Sequence, residues 1–181
     1  MTQNPSHLLQ HVPPHNLEAE QSVLGGLLAA GSRGQDLIDQ VQGLAPEDFY
    51  YPAHQAIFRA ILDVANMGRP TDLVNTATRL QECGEFERAG GQQVVADLAF
   101  SVISPTIGVT HADKVLACSR RRQLAERATA LIENAHRASV PFEHIQAQIQ
   151  ELASMGGQAV AEAVTVKTGA DLLEMSFPDN P

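Results

Sequence analysis

The chain has no tryptophan, only two cysteines, and just two Tyr and six Phe among its 181 residues. Without aromatic bulk a core must be assembled from Leu, Ile, Val and Ala. That composition favours packed helices over a β-sandwich. Cys83 and Cys118 lie far apart and match no metal-ligand spacing, so they read as two reduced thiols of a cytoplasmic protein. Basic charge is scarce too: 12 Lys and Arg face 21 Asp and Glu, a formal net charge of −9. Phosphate neutralisation supplies most of the affinity for DNA, so a chain this acidic is not expected to bind DNA strongly by itself. The opening "MTQNPSHLLQHVPP" has neither a basic start nor a long apolar run, which excludes a secretory signal. No stretch approaches the roughly 18 apolar residues that a membrane span needs.

Catalytic signatures are equally scarce. His7, His11 and His15 recur every fourth residue, but Pro13 and Pro14 interrupt any helix that could align them. His54, His111, His136 and His144 have no paired spacing with cysteine or acidic ligands. "GEFERAGG" carries three glycines without the G-x-x-x-x-G-K-[ST] phosphate cradle or a dinucleotide fingerprint. No nucleophile elbow or H-E-x-x-H motif occurs. The acidic pairs Glu18–Glu20 and Glu47–Asp48 read as helix-start residues. No residue is assigned to catalysis, to a cofactor or to a metal, and the reading that remains is an interaction or assembly module.

Amphipathic helices are what the chain does contain. In "VPPHNLEAEQSVLGGLL" two prolines set an extended approach, and Asn16 stands where it can cap the first turn. Leu17, Leu24, Leu27 and Leu28 then share a face, with Val23 at its edge. Gly25 and Gly26 cost roughly 1 kcal/mol each in a helix relative to Ala. A helix tolerates that where another backbone must come close. "QDLIDQVQG" is a short second helix on Leu37, Ile38 and Val41, followed by the aromatic turn "LAPEDFYYP". "AHQAIFRAILDVANMG" places Ile57, Phe58, Ile61, Leu62 and Ala65 on one stripe and ends at Gly68. Asp72 can cap "LVNTATRLQECG", which Gly84 closes, and "EFERAGG" is a connector. A further helix runs through Val94, Val95 and Leu98 until Pro105.

Beyond Pro105 the pattern changes. "VTHADKVLACSRRRQLAERATALIENAHRAS" runs without internal Pro or Gly, long for a globular helix. Leu124, Ala128, Leu131 and Ala135 step by four, three and four, the spacing of a coiled-coil seam. After a turn at Ser139–Pro141, Phe142, Ile145, Ile149 and Leu152 repeat it, and Gly156 and Gly157 end the run. The expected fold class is therefore all-α: a head of five or six helices followed by a long antiparallel hairpin. The expected divisions are a flexible N-terminus over 1–12, the head over 13–105, the hairpin over 106–155, and a linker or the start of a further domain over 156–181. Leu124, Ala128, Leu131, Ala135, Ile145, Ile149 and Leu152 are the candidate protein interface, although several must also hold the hairpin together. Arg120, Arg121 and Arg122 form the one basic knot, either a solvated helix face or a contact for an acidic partner or phosphate.

"VPPHNLEAEQSVLGGLL" closely resembles the opening of bacterial replicative DNA helicases of the DnaB family. The likeness continues in order through "EDFYYPAHQAIFRAI", "GRPTDLVNTATRLQECGEFERAGG" and "HADKVLACSRRRQLAERATALIENAH", covering roughly residues 12–155. In that family the region is an all-helical N-terminal domain. The resemblance implies pairing of heads and hairpins between subunits, a collar of three dimers, recruitment of primase, and DNA contact only indirectly. The family's motor, a RecA-like ATPase using ATP and Mg, has no counterpart within these residues. His111 stands where the family tends to have an aromatic, usually Tyr, and the joint from Pro105 to His111 is short. The tail "TGADLLEMSFPDNP" is similar to the entry strand of a RecA-like domain in plasmid or phage-type relatives. Two alternatives follow: a remnant or regulatory fragment that binds full-length helicase or primase, or part of an ATP-dependent helicase whose motor lies on a continuing or separate chain. An unrelated helical adaptor sharing only the pattern is a further reading.

Overall fold

The computed structural model describes residues 12–102 and 104–163, with side chains through Met155. Expectations for residues 1–11 and for the tail 164–181 lie outside the described residues. Eight α-helices are present among the described residues: α1 (Leu17–Leu28), α2 (Gly34–Gln40), α3 (Pro52–Asn66), α4 (Leu73–Glu82), α5 (Gly91–Phe100), α6 (Pro105–Val109), α7 (Ala112–His136) and α8 (Phe142–Ala163). A single 3-10 turn, Pro46–Asp48, precedes α3. The chain divides into two compact units after Gln123.

Local chemistry sets the ends of these helices. Asn16 Oδ1 accepts the Ala19 N–H at 2.9 Å, and Asp72 accepts the Asn75 N–H at 2.8 Å. Both are N-caps that satisfy donors with no partner inside the helix. α3 ends at Gly68 (φ 69°), with Arg69 N–H reaching Val64 O at 3.1 Å and Gly68 N–H reaching Ala65 O at 2.8 Å. α4 closes in the same way at Gly84 (φ 72°). Glycine adopts this left-handed conformation without a Cβ penalty, which is why the two helices stop there.

The first unit is built on α1 and α3. Val23, Leu24 and Leu27 of α1 and Ile57, Phe58 and Ile61 of α3 are fully buried, with Phe49 stacked obliquely on Phe58 at 4.8 Å. Leu37, Ile38 and Val41 close one side as expected. Leu17, which spacing puts on the apolar face, is instead exposed. The double glycine of α1 lies where other backbones cross. A Cβ on Gly25 would lie 2.5 Å from Leu98 O of α5, and one on Gly26 would lie 2.7 Å from Pro105 O. α6 returns the arrangement, since a Cβ on its Gly108 would run into Ser22 O and Gly26 Cα. The "EFERAGG" segment does more than connect: Ala89 is fully buried, and Phe86 packs on the core.

Two boundaries differ from expectation. Pro105 does not end the head. It occupies the first turn of α6, where its fixed φ and missing N–H suit a helix start, and Gly108 and Val109 that follow are buried. The first unit continues through α6 and the first half of α7, where Val115 and Ser119 are buried. α8, moreover, passes through Gly156 and Gly157 and continues to Ala163.

In the second unit, α7 and α8 are antiparallel, joined by a turn in which Arg137 N–H bonds Asn134 O and Val140 N–H bonds Arg137 O. An Arg127–Glu151 ion pair and an Asn134–Gln148 hydrogen bond cross between them.

Candidate interaction surface

The densest polar cluster of the first unit lies where the sequence promises only helix caps. Glu20 is 1% exposed. Its Oε2 meets His54 Nδ1 at 2.7 Å, and its Oε1 accepts the Tyr50 N–H at 2.8 Å. A buried carboxylate is tolerable only when hydrogen-bonded in this way. Asp48 is buried as well: Oδ2 takes the Ala45 N–H at 2.7 Å, and Oδ1 takes the Ser119 hydroxyl at 2.5 Å. Glu20 and Asp48 stand in first turns, as expected of helix-start residues, and both also serve as core ties.

Arg122 extends the cluster. Its guanidinium donates to Pro14 O at 2.8 Å and to Asp48 O at 2.5 Å, and lies 5.7 Å from the Tyr50 ring centroid. His15 stacks on the same ring at 4.4 Å. The three arginines thus part company. Arg120 and Arg121 are exposed, whereas Arg122 is half-buried and committed inside the unit. Two of the Arg122 donors are thus engaged inside the unit. Spacing could have flagged the cluster: Glu20 sits one turn before Val23 and Leu24, and His54 one turn before Ile57 and Phe58. A charged or polar side chain on an apolar stripe demands a partner.

The apolar anchorage of α7 on the first unit is small by comparison. Val115 is buried, and Ala112 and Leu116 pack partly against the core. Burying one valine contributes about 1.5–3 kcal/mol. Each hydrogen bond to a charged group contributes a similar 1.5–3 kcal/mol or so. Arg122 and the Ser119–Asp48 bond therefore weigh as much as the apolar contact.

The second unit carries the expected interface residues, and the structure divides them. Ala128, Leu131, Ile145 and Leu152 are half-buried, along with Asn134, Gln148 and Met155. Leu124 (47%), Ile149 (49%) and Ala135 are exposed, as are Ile132 (48%) and Phe142 (65%). Between Leu124 and Met155 no side chain is fully buried. The half-buried set is the seam of the hairpin, and the exposed apolar set remains open to a partner. The seam on α8 runs Ile145, Gln148, Leu152, Met155, so one of its four members, Gln148, escapes a search for apolar residues alone.

No group of three metal-ligating side chains converges among the described residues. No single helix there is long and apolar enough to cross a membrane.

The chain thus combines a packed all-helical unit, with polar ties, and an antiparallel helical hairpin, with open apolar positions. The family model described as the DnaB-like helicase N terminal domain matches residues 12–117, and the chain belongs to that family. It is 33% identical over 129 residues to the replicative DNA helicase DnaB of Leifsonia xyli subsp. xyli, covering 71% of this chain and 28% of the relative. It is 35% identical over 127 residues to DnaB of Geobacillus stearothermophilus, covering 70% and 27%. Among solved structures, the N-terminal domain of DnaB helicase from Mycobacterium tuberculosis superposes with a TM-score of 0.69 at 35% identity, covering 77% of this chain and 99% of that one. A DnaB-like replicative helicase described together with its interactions with primase matches with a TM-score of 0.63 at 28% identity, covering 77% and 31%. The chain spans under a third of the length of the curated relatives it matches.

Proposed function

We propose that this chain is an assembly module of DNA replication in the cytoplasm. It pairs with copies of itself, or with full-length helicase subunits, through the hairpin, and it offers docking surface to primase. The observation that carries the reading is the hairpin's apolar set, Leu124, Ile132, Phe142 and Ile149, open on a unit with no fully buried side chain between Leu124 and Met155. A two-helix seam leaves such residues uncovered, and a second copy covers them. An interface of standard size buries about 1,600 Å² in total, within the scale that two paired hairpins offer. The primase element of the reading is supported by the matched helicase described with its interactions with primase. On this reading a motor with its ATP and Mg is no part of the module. Its 181 residues contain no phosphate-binding loop.

Sedimentation of the full chain across the micromolar range tests the pairing. We expect a concentration-dependent shift to dimer or larger. Ile149→Glu is expected to weaken association at least tenfold, about 1.4 kcal/mol, while Arg33→Glu on the first unit leaves it unchanged. A monomer at every concentration, or equal effects of the two substitutions, would overturn the assignment. ATP hydrolysis that copurifies with the chain and follows its elution would overturn the motor-free reading.

A further inference from the structure

The Arg122 cluster has a second property beyond stability: it joins three segments that are distant in sequence. The N-terminal strap Val12–His15, the turn Asp48–Pro52 and α7 meet at one guanidinium and one aromatic ring. Arg122 gives one hydrogen bond to Pro14 O and one to Asp48 O. His15 and Arg122 both pack on Tyr50, and His15 Nδ1 lies 2.9 Å from Pro13 O. The strap takes no part in a helix or sheet; Asn16, which follows it, caps α1 and accepts the Glu20 N–H. Val12 and Pro13 are exposed, and Pro14, His15 and Asn16 are half-buried. Two prolines stiffen it, so it seats as one piece. Arg122 has no carboxylate partner among the described residues, and its two acceptors are backbone carbonyls. Ser119, one turn earlier, is the last fully buried side chain of α7, and the first unit ends just after Arg122, at Gln123.

We infer that Arg122 is the bolt of a clasp, with the strap Val12–His15 as its removable half, that controls how firmly the first half of α7 is held on the head. With the strap seated, the guanidinium fork is satisfied on two sides and α7 is fixed at Ser119 and Arg122. With the strap lifted, Arg122 loses the Pro14 carbonyl, Tyr50 loses the His15 ring, and α7 retains Val115, the Ser119–Asp48 bond and one Arg122 bond, to Asp48 O. The strap thereby acts as a handle: whatever displaces residues 12–15 loosens a helix a hundred residues further along the chain.

Amide hydrogen exchange on the full chain, read by mass spectrometry, tests this. The variants are Arg122→Gln, a chain beginning with Met directly before Asn16, the two combined, and Arg121→Gln as control. Amides of 116–123 are expected to exchange at least about tenfold faster in the first two variants, while those of 56–66 in α3 keep their protection. The combined variant is expected to add nothing further, because both changes open the same clasp. Should Arg122→Gln unfold the whole unit, with 56–66 exposed as well, the shortened chain decides on the same criterion. Unchanged protection of 116–123 in the shortened chain overturns the clasp. So do multiplying effects in the combined variant, or an Arg121→Gln effect equal to that of Arg122→Gln.

Discussion

Glu20 shows how much one side chain can organise. Its two oxygens serve a buried ring nitrogen on α3 and a backbone N–H in the half-buried aromatic turn. Glu20→Ala would leave the buried His54 ring and the Tyr50 N–H without these partners, and we expect a loss of roughly 2–5 kcal/mol in urea unfolding. Glu18→Ala, two residues earlier on an exposed position, is expected to stay within about 0.5 kcal/mol of the parent. The contrast matters because the sequence shows the two acids as a matched pair at a helix start. Only the stripe on which Glu20 falls separates them. Arg79 is a different case. Asp63 accepts from its Nε at 3.0 Å and its Nη2 at 2.9 Å, and this hydrogen bonding raises the guanidinium above its ordinary value. The pair is partly open to solvent, however, so it counts for little in stability.

At the scale of elements, the crossing of α1 with α6 depends on glycines facing each other. A methyl on Gly26 would press on Pro105 O and on the Gly108 Cα at 3.2 Å, backbone atoms that cannot swing aside. Alanine gains about 1 kcal/mol of helix propensity there, but the overlap costs up to about 3 kcal/mol. We expect Gly26→Ala to be net destabilising by roughly 1–2 kcal/mol in thermal or urea unfolding. Gly43→Ala, where a Cβ meets nothing within 4 Å, is expected to be neutral or to stabilise by about 0.5 kcal/mol. If the two substitutions behaved alike, the crossing would not be limited by these glycines.

This close approach was legible before any coordinates, because a double glycine in a helix otherwise so strongly apolar demands a reason. The caps at Asn16 and Asp72 and the stops at Gly68 and Gly84 were legible for the same local cause. The joint was not. Pro105 reads as a stop when the preceding helix is followed forward, yet it serves as the first turn of α6. α7, meanwhile, shows no break at Gln123 although its surroundings change there. A continuous helix carries no local mark of where its neighbours end. The Arg122 clasp was hidden for a related reason: its acceptors are carbonyls, and every residue has one.

For the molecule as a whole, the two units stand on different physical footings. The first buries Phe49, Phe58 and a full set of aliphatic side chains, so its core holds without help. The hairpin, between Leu124 and Met155, buries no side chain completely. It is held by half-buried positions, one crossing ion pair and one crossing amide bond. An exposed ion pair contributes about 0–1 kcal/mol, so the isolated hairpin is only marginally ordered. On the proposed pairing, association would supply what is missing, since binding that requires the ordered hairpin stabilises it by mass action. Amides of 124–155 are therefore expected to exchange rapidly at low protein concentration and to slow at least about tenfold as the concentration rises through the association range. Those of α1 and α3 should exchange at the same slow rate throughout. Ile149→Glu should abolish the concentration dependence and leave the dilute rates of the hairpin unaltered, because that residue faces solvent in the single chain. Hairpin amides already as protected as those of α3 in the dilute monomer would mean that the hairpin is self-sufficient, and the apolar residues along it would need another explanation.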